Sequence, residues 1–338
     1  MQSRYVEQLL AEIERRRDEI ASSRHSGDSP DTLYIGGGTP SLLPAEAVGS
    51  IVTALGGAPF EEFTIEANPD DIIKNGPAYV KALAETGVNR MSLGVQSFDD
   101  GILRWMNRRH DADGACKAVG IIHEAGIENI SIDLISGLSQ MDDKLWESTV
   151  RKAVALGAKH ISAYDLSLEE GSELAVMVED GRYEMAHDEH CRRQYDILCR
   201  VLSEAGFRHY EISNFALPGF EAVHNSAYWR RVPYVGLGPG AHSYILKDGV
   251  QIRRWNEQSL EDWGFEEEEL SEDDSRMETV MLSLRTADGI VSDVLYRICG
   301  PESVEKMLRD GFLEHHSGRI RIPERHFFIS DDIIGELV

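Results

Sequence analysis

Basic residues are in short supply: 34 Lys and Arg stand against 59 Asp and Glu, a formal net charge of −25. A field of that sign repels phosphate backbones and anionic headgroups, which argues against nucleic acid as a partner. Also missing is any run near the roughly 20 apolar residues that a membrane-spanning helix needs. The N-terminus reads as a charged helix in place of a signal peptide. A cytoplasmic protein without a transmembrane segment is therefore expected, with peripheral membrane contact left open. Cysteine is sparse: Cys116, Cys191, Cys199 and Cys299 fall in or near predicted helices, and none forms the close pair of a zinc knuckle or a redox motif. They are expected to be reduced, acting as small buried hydrophobes. Internal repeats and low-complexity tracts are absent too.

What the 338 residues do contain is enough apolar material, 42% of the composition, for a sizeable core. Val6, Leu9, Leu10, Ile13 and Ile20 recur at helical spacing within 1–24, and 22–30 reads as a linker. Apolar strand-like runs then occupy 33–35, 63–67, 90–95, 130–135 and 160–166. Each is followed by a helical pattern, at 44–55, 77–85, 113–125, 142–156 and 188–205. Strands alternating with helices predict right-handed crossovers and a parallel sheet. After about Phe215 the character changes. Residues 218–244 are rich in Gly, aromatics and His, and an acidic stretch at 266–269 and 272–274 reads as a solvated linker. A helix over 304–309 and short strands near 319–322 predict a small winged-type module. The expected division is 1–215 and 216–338.

The run Gly36-Gly37-Gly38-Thr39-Pro40 ends the first strand. Glycine carries no Cβ, so such a loop lets a ligand approach backbone N–H groups, although a plain βα turn is the bland alternative. Polar residues stand at or just after every strand's carboxyl end: Thr39, Glu66 and Asn68, Gln96 and Ser97, Asp133, and Asp165 with Ser167. Ligands of parallel sheets and barrels collect at that end. One site assembled from successive strand ends is predicted.

In chain order, those glycines, Glu66-Ala67-Asn68-Pro69, Asn89-Arg90, Gly94-Val95-Gln96-Ser97-Phe98, Asn107-Arg108-Arg109-His110 and Asp133-Leu134-Ile135-Ser136-Gly137-Leu138 resemble the radical S-adenosylmethionine superfamily. Within it the likeness is to the oxygen-independent coproporphyrinogen III oxidase-like branch. His224-Asn225-Ser226-Ala227-Tyr228-Trp229, with Tyr234-Val235-Gly236-Leu237-Gly238 and Gly240-Ala241-His242 beyond it, is similar to the haem-chaperone group of that branch. The likeness runs along the whole chain. It implies an α/β fold, a partial parallel (β/α) barrel lacking its first strand, followed by a small α+β, winged-helix-like module. It also implies that the backbone of Gly37, Gly38 and Thr39 takes the amino-acid end of S-adenosylmethionine, with Glu66 beside it. Gln96, Arg108 and Asp133 match positions that contact a second molecule of that cofactor in the oxidase. Arg108 and Asp133 could equally form a buried ion pair.

The family's defining Cys-x3-Cys-x2-Cys motif, whose thiolates hold a [4Fe–4S] cluster, is not in this sequence, and the four cysteines present have other spacings. By the resemblance, Met1 falls where the helix after the cluster loop begins. The expectation is an N-terminally shortened form of a protein that carries the cluster, in preference to a relative that has shed it, because the strand at 33–35 would otherwise be an unprotected sheet edge. From the chain as given, reductive cleavage of S-adenosylmethionine is not expected, which leaves open whether it is an enzyme.

The resemblance further implies haem binding and transfer to haem-accepting proteins. His224 offers an imidazole to iron, Tyr228 and Trp229 offer flat faces to the macrocycle, and Arg230, Arg231, Arg253 and Arg254 are near in sequence to meet the propionates. The residues alone leave another reading open, in which His224 ties down a loop and Trp229 packs. The alternative activity is that of the branch's oxidase, decarboxylation of coproporphyrinogen III in porphyrin synthesis. An ordinary metal-dependent barrel enzyme finds no ligand spacing, since His187, His190 and Cys191 share a helix that reads as a solvated face. An exposed edge strand would allow a homodimer.

Overall fold

A computed structural model describes residues 2–24, 30–260 and 263–338. Five strands, β1 (Thr32–Ile35), β2 (Glu62–Ala67), β3 (Arg90–Gln96), β4 (Asn129–Ser136) and β5 (His160–Asp165), lie parallel and side by side in sequence order. β6 (Arg208–Glu211) and β7 (Asn214–Ala216) extend the sheet antiparallel, in the order β1-β2-β3-β4-β5-β7-β6. The sheet curls into a half-barrel.

Alternation along the strands gives the sheet two chemically different faces. Phe63 and Ile65, Met91, Leu93 and Val95, Ile130, Ile132 and Leu134, and Ile161 enter the main core. The intervening residues are Thr64 and Glu66, Arg90 and Ser92, Ser131 and Asp133, and His160 and Ser162. Pairing of Glu66 with Ser92, Gly94 with Asp133 and Asp133 with Ser162 brings this polar set together on the concave side. A closed barrel packs its interior with apolar side chains. This half-barrel has a polar interior instead, which needs water or a ligand to satisfy it.

Ahead of β1 stand α1 (Gln2–Arg15) and α2 (Arg17–Arg24), where the sequence predicts one helix. The break falls at Arg16, whose guanidinium reaches Gly236 O at 2.5 Å and Ser243 Oγ at 3.1 Å. Of the expected linker, 22–24 belong to α2 and 25–29 lie outside the described residues. The βα connections carry α3 (Ala45–Ala54), α4 (Pro69–Glu85), α5 (Asp100–Trp105), α6 (Ala112–Glu124), α7 (Asp143–Ala155), α8 (Glu173–Glu179) and α9 (Asp188–Glu204). Val48, Val52, Ile72, Leu83, Ile122, Trp146, Val150 and Leu202 from these helices complete the main core. Helix α4 begins earlier than its periodicity predicts. Pro69 at its first position and Asp70 and Asp71 in its first turn start it, Gly76 at φ +73° interrupts it, and Pro77 restarts it.

Beyond β7, α10 (Val223–Trp229) leads to an antiparallel sheet of β8 (His242–Lys247), β9 (Val250–Asn256) and β10 (Phe265–Glu269). The acidic stretch is not a linker. Glu267 and Glu268 lie in β10, paired with Arg254 at 3.0 Å and Arg253 at 2.9 Å across from β9. Glu272, Asp273 and Asp274 form the first turn of α11 (Glu272–Leu284), capped by Ser271, where carboxylates suit the helix dipole. The chain closes with β11 (Ile290–Val291), α12 (Ser292–Cys299), α13 (Pro301–Arg309), a β12 (Glu314–His316) and β13 (Arg319–Arg321) hairpin, and α14 (Ser330–Gly335). These elements share a separate core around Leu284, Leu295, Val304, Ile320 and Phe327. Among the described residues no helix is long and apolar enough to cross a membrane.

Candidate functional site

A cleft of about 410 Å³ opens at the carboxyl ends of β1 to β5. Its wall includes Gly38 and Thr39 from the loop after β1, Glu66 on β2, Gln96 at the end of β3, Arg108 beyond α5 and Asp133 on β4. The residues that the sequence predicts for S-adenosylmethionine are therefore brought together, with Gly37 adjoining. Asn68, Asp165 and Ser167 join the same wall.

The loop has this conformation because of Glu66. Its Oε2 accepts the Gly37 N–H at 3.1 Å and its Oε1 accepts the Tyr34 hydroxyl at 2.6 Å. A Cβ on Gly36 would stand 2.5 Å from Tyr34 Cε1 and 2.7 Å from Glu66 Oε1, so any larger residue there must displace the Tyr34 ring and the Glu66 carboxylate. Gly37 has a φ of +90°, which glycine tolerates. Added Cβ atoms at Gly37 and Gly38 meet nothing within 4 Å, so the open side of the loop faces free space.

Gln96 is held at φ +69°, where the pairing of β3 with β4 shifts register. Such a bulge re-aims a side chain, and here it aims the amide of Gln96 at the cleft. Arg108 and Asp133 make no ion pair with each other. The Arg108 guanidinium has no hydrogen bond or ion pair among the described residues, and burial lowers its affinity for its proton, with Asp70 acting the other way. Burial lifts the Asp133 carboxyl to about 6, against hydrogen bonds from Ser92 at 3.0 and 2.9 Å. The cleft thus presents a cation, three carboxyl groups, two amides and open backbone, a set that complements a zwitterionic amino-acid group.

Behind the cleft lies a second chamber of about 340 Å³, which shares Glu66, Ser92, Asp133 and Tyr164 with it. Arg90 and His160 line its inner side, and His224, Asn225 and Tyr228 of α10 close it. Glu62 fixes the start of α10 by accepting the N–H groups of Val223 at 2.8 Å and His224 at 3.0 Å. The His224 ring stacks on Tyr34 at 5.2 Å and meets the edge of Tyr228 at 4.9 Å. Both its nitrogens are engaged, Nδ1 with Thr32 Oγ1 and Nε2 with the Tyr228 hydroxyl, each at 2.7 Å. Burial, then the charge of Arg90, pushes its pKa down to about 4, so the imidazole is neutral at pH 7.

Trp229, one residue past Tyr228 at the end of α10, does not line this chamber. The arginines expected near propionates are engaged elsewhere. Arg231 pairs with Glu278, Arg253 with Glu268 and Glu278, and Arg254 with Glu19 and Glu267, while Arg230 Nε donates to Ser226 O. Tyr34, Arg90 and Tyr164 are site residues that the sequence reading missed. Their signal was the polar phase of the strand alternation.

The radical SAM superfamily profile matches residues 3–153. A heme chaperone HemW from Synechocystis is 38% identical over 286 residues, covering 80% of this chain and 68% of that protein. The heme chaperone HemW of Lactococcus lactis is 30% identical over 349 residues, covering 99% of this chain and 89% of its own length. This chain belongs to the HemW family. Its fold is also that of coproporphyrinogen III oxidase HemN from Escherichia coli, a radical SAM enzyme, with a TM-score of 0.72 at 18% identity over 97% of this chain and 83% of the oxidase. That likeness concerns the fold alone. For a HemW-family chain, radical SAM membership implies S-adenosylmethionine and a [4Fe–4S] cluster as the family's cofactors. The cleft residues suit the first. Of the cysteines, Cys116 is on α6, Cys191 and Cys199 are on α9 and Cys299 is on α12, and none lines the cleft. Burial raises the thiol pKa of Cys191 and Cys299 and pushes that of Cys199 up to about 12.

Proposed function

We propose that this chain binds haem and passes it to acceptor proteins, with S-adenosylmethionine held in the neighbouring cleft. The observation that carries the haem reading is His224. It is a neutral imidazole between the rings of Tyr34 and Tyr228, on the wall of a chamber that communicates with the cleft, in a chain whose relatives are named heme chaperones. In this reading His224 Nε2 takes the iron once the Tyr228 hydroxyl withdraws, and the two tyrosine rings flank the macrocycle. Trp229 is left out of the contacts.

In the cleft, the Gly38 and Thr39 backbone and Arg108 receive the carboxylate of S-adenosylmethionine, and Glu66 its ammonium group. Gln96 and Asp133 hydrogen-bond the rest of the molecule. When bound with a cluster, that cofactor supplies radical chemistry, whereas the residues named here bind and orient it.

The test is a haemin titration of the whole chain followed by its Soret absorbance, then mixing with an apo haem protein. Saturable binding with one haem per chain, followed by transfer, is expected. Absence of saturable binding by the folded chain overturns the reading.

A further inference from the structure

Arg90 is 3% exposed, and its side chain lies in the wall of the inner chamber. A guanidinium has five N–H donors. Among the described residues those of Arg90 find one long hydrogen bond, from Nη1 to Thr64 Oγ1 at 3.4 Å. Its Nε is buried without a hydrogen-bond partner, and Glu62 Oε2 stands 3.9 Å from it. Glu62 cannot close that gap cheaply, because its oxygens already receive the N–H groups of Val223 and His224. A buried guanidinium so lightly partnered is costly, and the nearby histidines are neutral and share none of its charge.

The chemistry of the chamber selects the missing partner. A planar carboxylate matches the guanidinium fork with two parallel hydrogen bonds. A phosphate, with up to twice the charge, meets a correspondingly larger repulsion from Glu62 and Glu66 than a carboxylate does. We propose that the chamber is a carboxylate-recognition site with Arg90 as the bidentate partner, and, resting on the haem reading above, that its occupant is a propionate arm of the macrocycle. With Arg231, Arg253 and Arg254 engaged in ion pairs, Arg90 takes the role that sequence proximity gave to them.

The test compares haemin with haemin dimethyl ester, whose propionates are capped, on the whole wild-type chain and on Arg90→Met and Arg90→Lys. Wild type binds haemin about tenfold or more tighter than the ester, the range of a charged hydrogen-bonded pair. Arg90→Met lowers haemin to the ester's affinity and leaves the ester unchanged, and Arg90→Lys falls between. Equal affinity of wild type for haemin and ester overturns the propionate assignment while the haem reading stands, and it needs no variant to fold. Added glutarate that displaces haemin from wild type but not from Arg90→Met also supports the carboxylate site. Failure of both haemin and ester to bind overturns the haem reading and the assignment with it.

Discussion

The Tyr228 hydroxyl and His224 Nε2 lie 2.7 Å apart, so the imidazole nitrogen that faces the chamber carries a hydrogen bond before any ligand arrives. Nδ1 is fixed in the same way by Thr32. The ring is therefore held in one orientation, neutral and stacked on Tyr34, which is how a metal-binding histidine is prepared. In the haem complex proposed above, the iron would compete with that hydroxyl for Nε2.

Removing the competitor should strengthen binding. Tyr228→Phe keeps the ring against His224 and frees Nε2, and an ordinary hydrogen bond contributes about 0.5–1.5 kcal/mol net. Haemin affinity is expected to rise by roughly twofold to tenfold in a Soret titration. A fall in affinity would mean that the hydroxyl itself contacts the haem.

The glycine loop separates binding from folding. Gly38→Ala places its methyl group in open space, so the melting temperature should match wild type, while S-adenosylmethionine affinity by calorimetry falls about tenfold as the methyl occupies the ligand's approach. Gly36→Ala drives a Cβ into Tyr34 and Glu66 and should lose both stability and affinity. Unchanged affinity in Gly38→Ala would place the cofactor away from this loop.

Glu211 makes stability depend on pH. It is 1% exposed, and burial lifts its carboxyl from 4.5 to about 7. The folded state holds that proton more tightly than the unfolded one. Its contribution is therefore fully present below about 4.5 and is lost as pH rises through about 7. Glu211→Gln stays neutral throughout. Between pH 5 and pH 8 the variant should gain on wild type by on the order of 2–3 kcal/mol in urea unfolding. Parallel stability curves would show that Glu211 does not titrate in this range.

Glu12 joins α1 to the β8–β9 region. Only 3% exposed, it accepts from Asn256 Nδ2 and the Gly238 N–H at 2.8 Å, Trp263 Nε1 at 2.9 Å and Arg16 Nη1 at 3.1 Å. Glu12→Ala strands these donors in the interior and should cost about 3–5 kcal/mol. Glu12→Gln, which keeps the shape and one acceptor, should cost less. Denaturant unfolding followed by tryptophan fluorescence measures both.

The five parallel strands were legible as apolar runs, and the convergence of Thr39, Glu66, Asn68, Gln96, Asp133, Asp165 and Ser167 followed from the rule that ligands meet strand ends, whereas Arg108 came from the family resemblance and Ser97, expected with them, does not line the cleft. Reading the runs only as apolar hid their second phase. Arg90, Ser92, Asp133 and Ser162 alternate with Met91, Leu93, Leu134 and Ile161, and that period of two marks a polar interior before any fold is known. The acidic stretch misled because its charge was counted without its partners. Arg253 and Arg254 lie one strand away, and antiparallel pairing puts them opposite Glu268 and Glu267. Trp229 was grouped with His224 by proximity in sequence, but on a helix only Tyr228, four residues on, shares the face of His224.

The most direct test of the account is the electron paramagnetic resonance spectrum of the ferric haem complex of wild type and of His224→Ala, with circular dichroism to establish that both are folded. The account predicts a histidine-ligated iron in wild type and a different, weaker-field signal in the variant. The same spectrum from both would place the iron on another residue and contradict the role of His224.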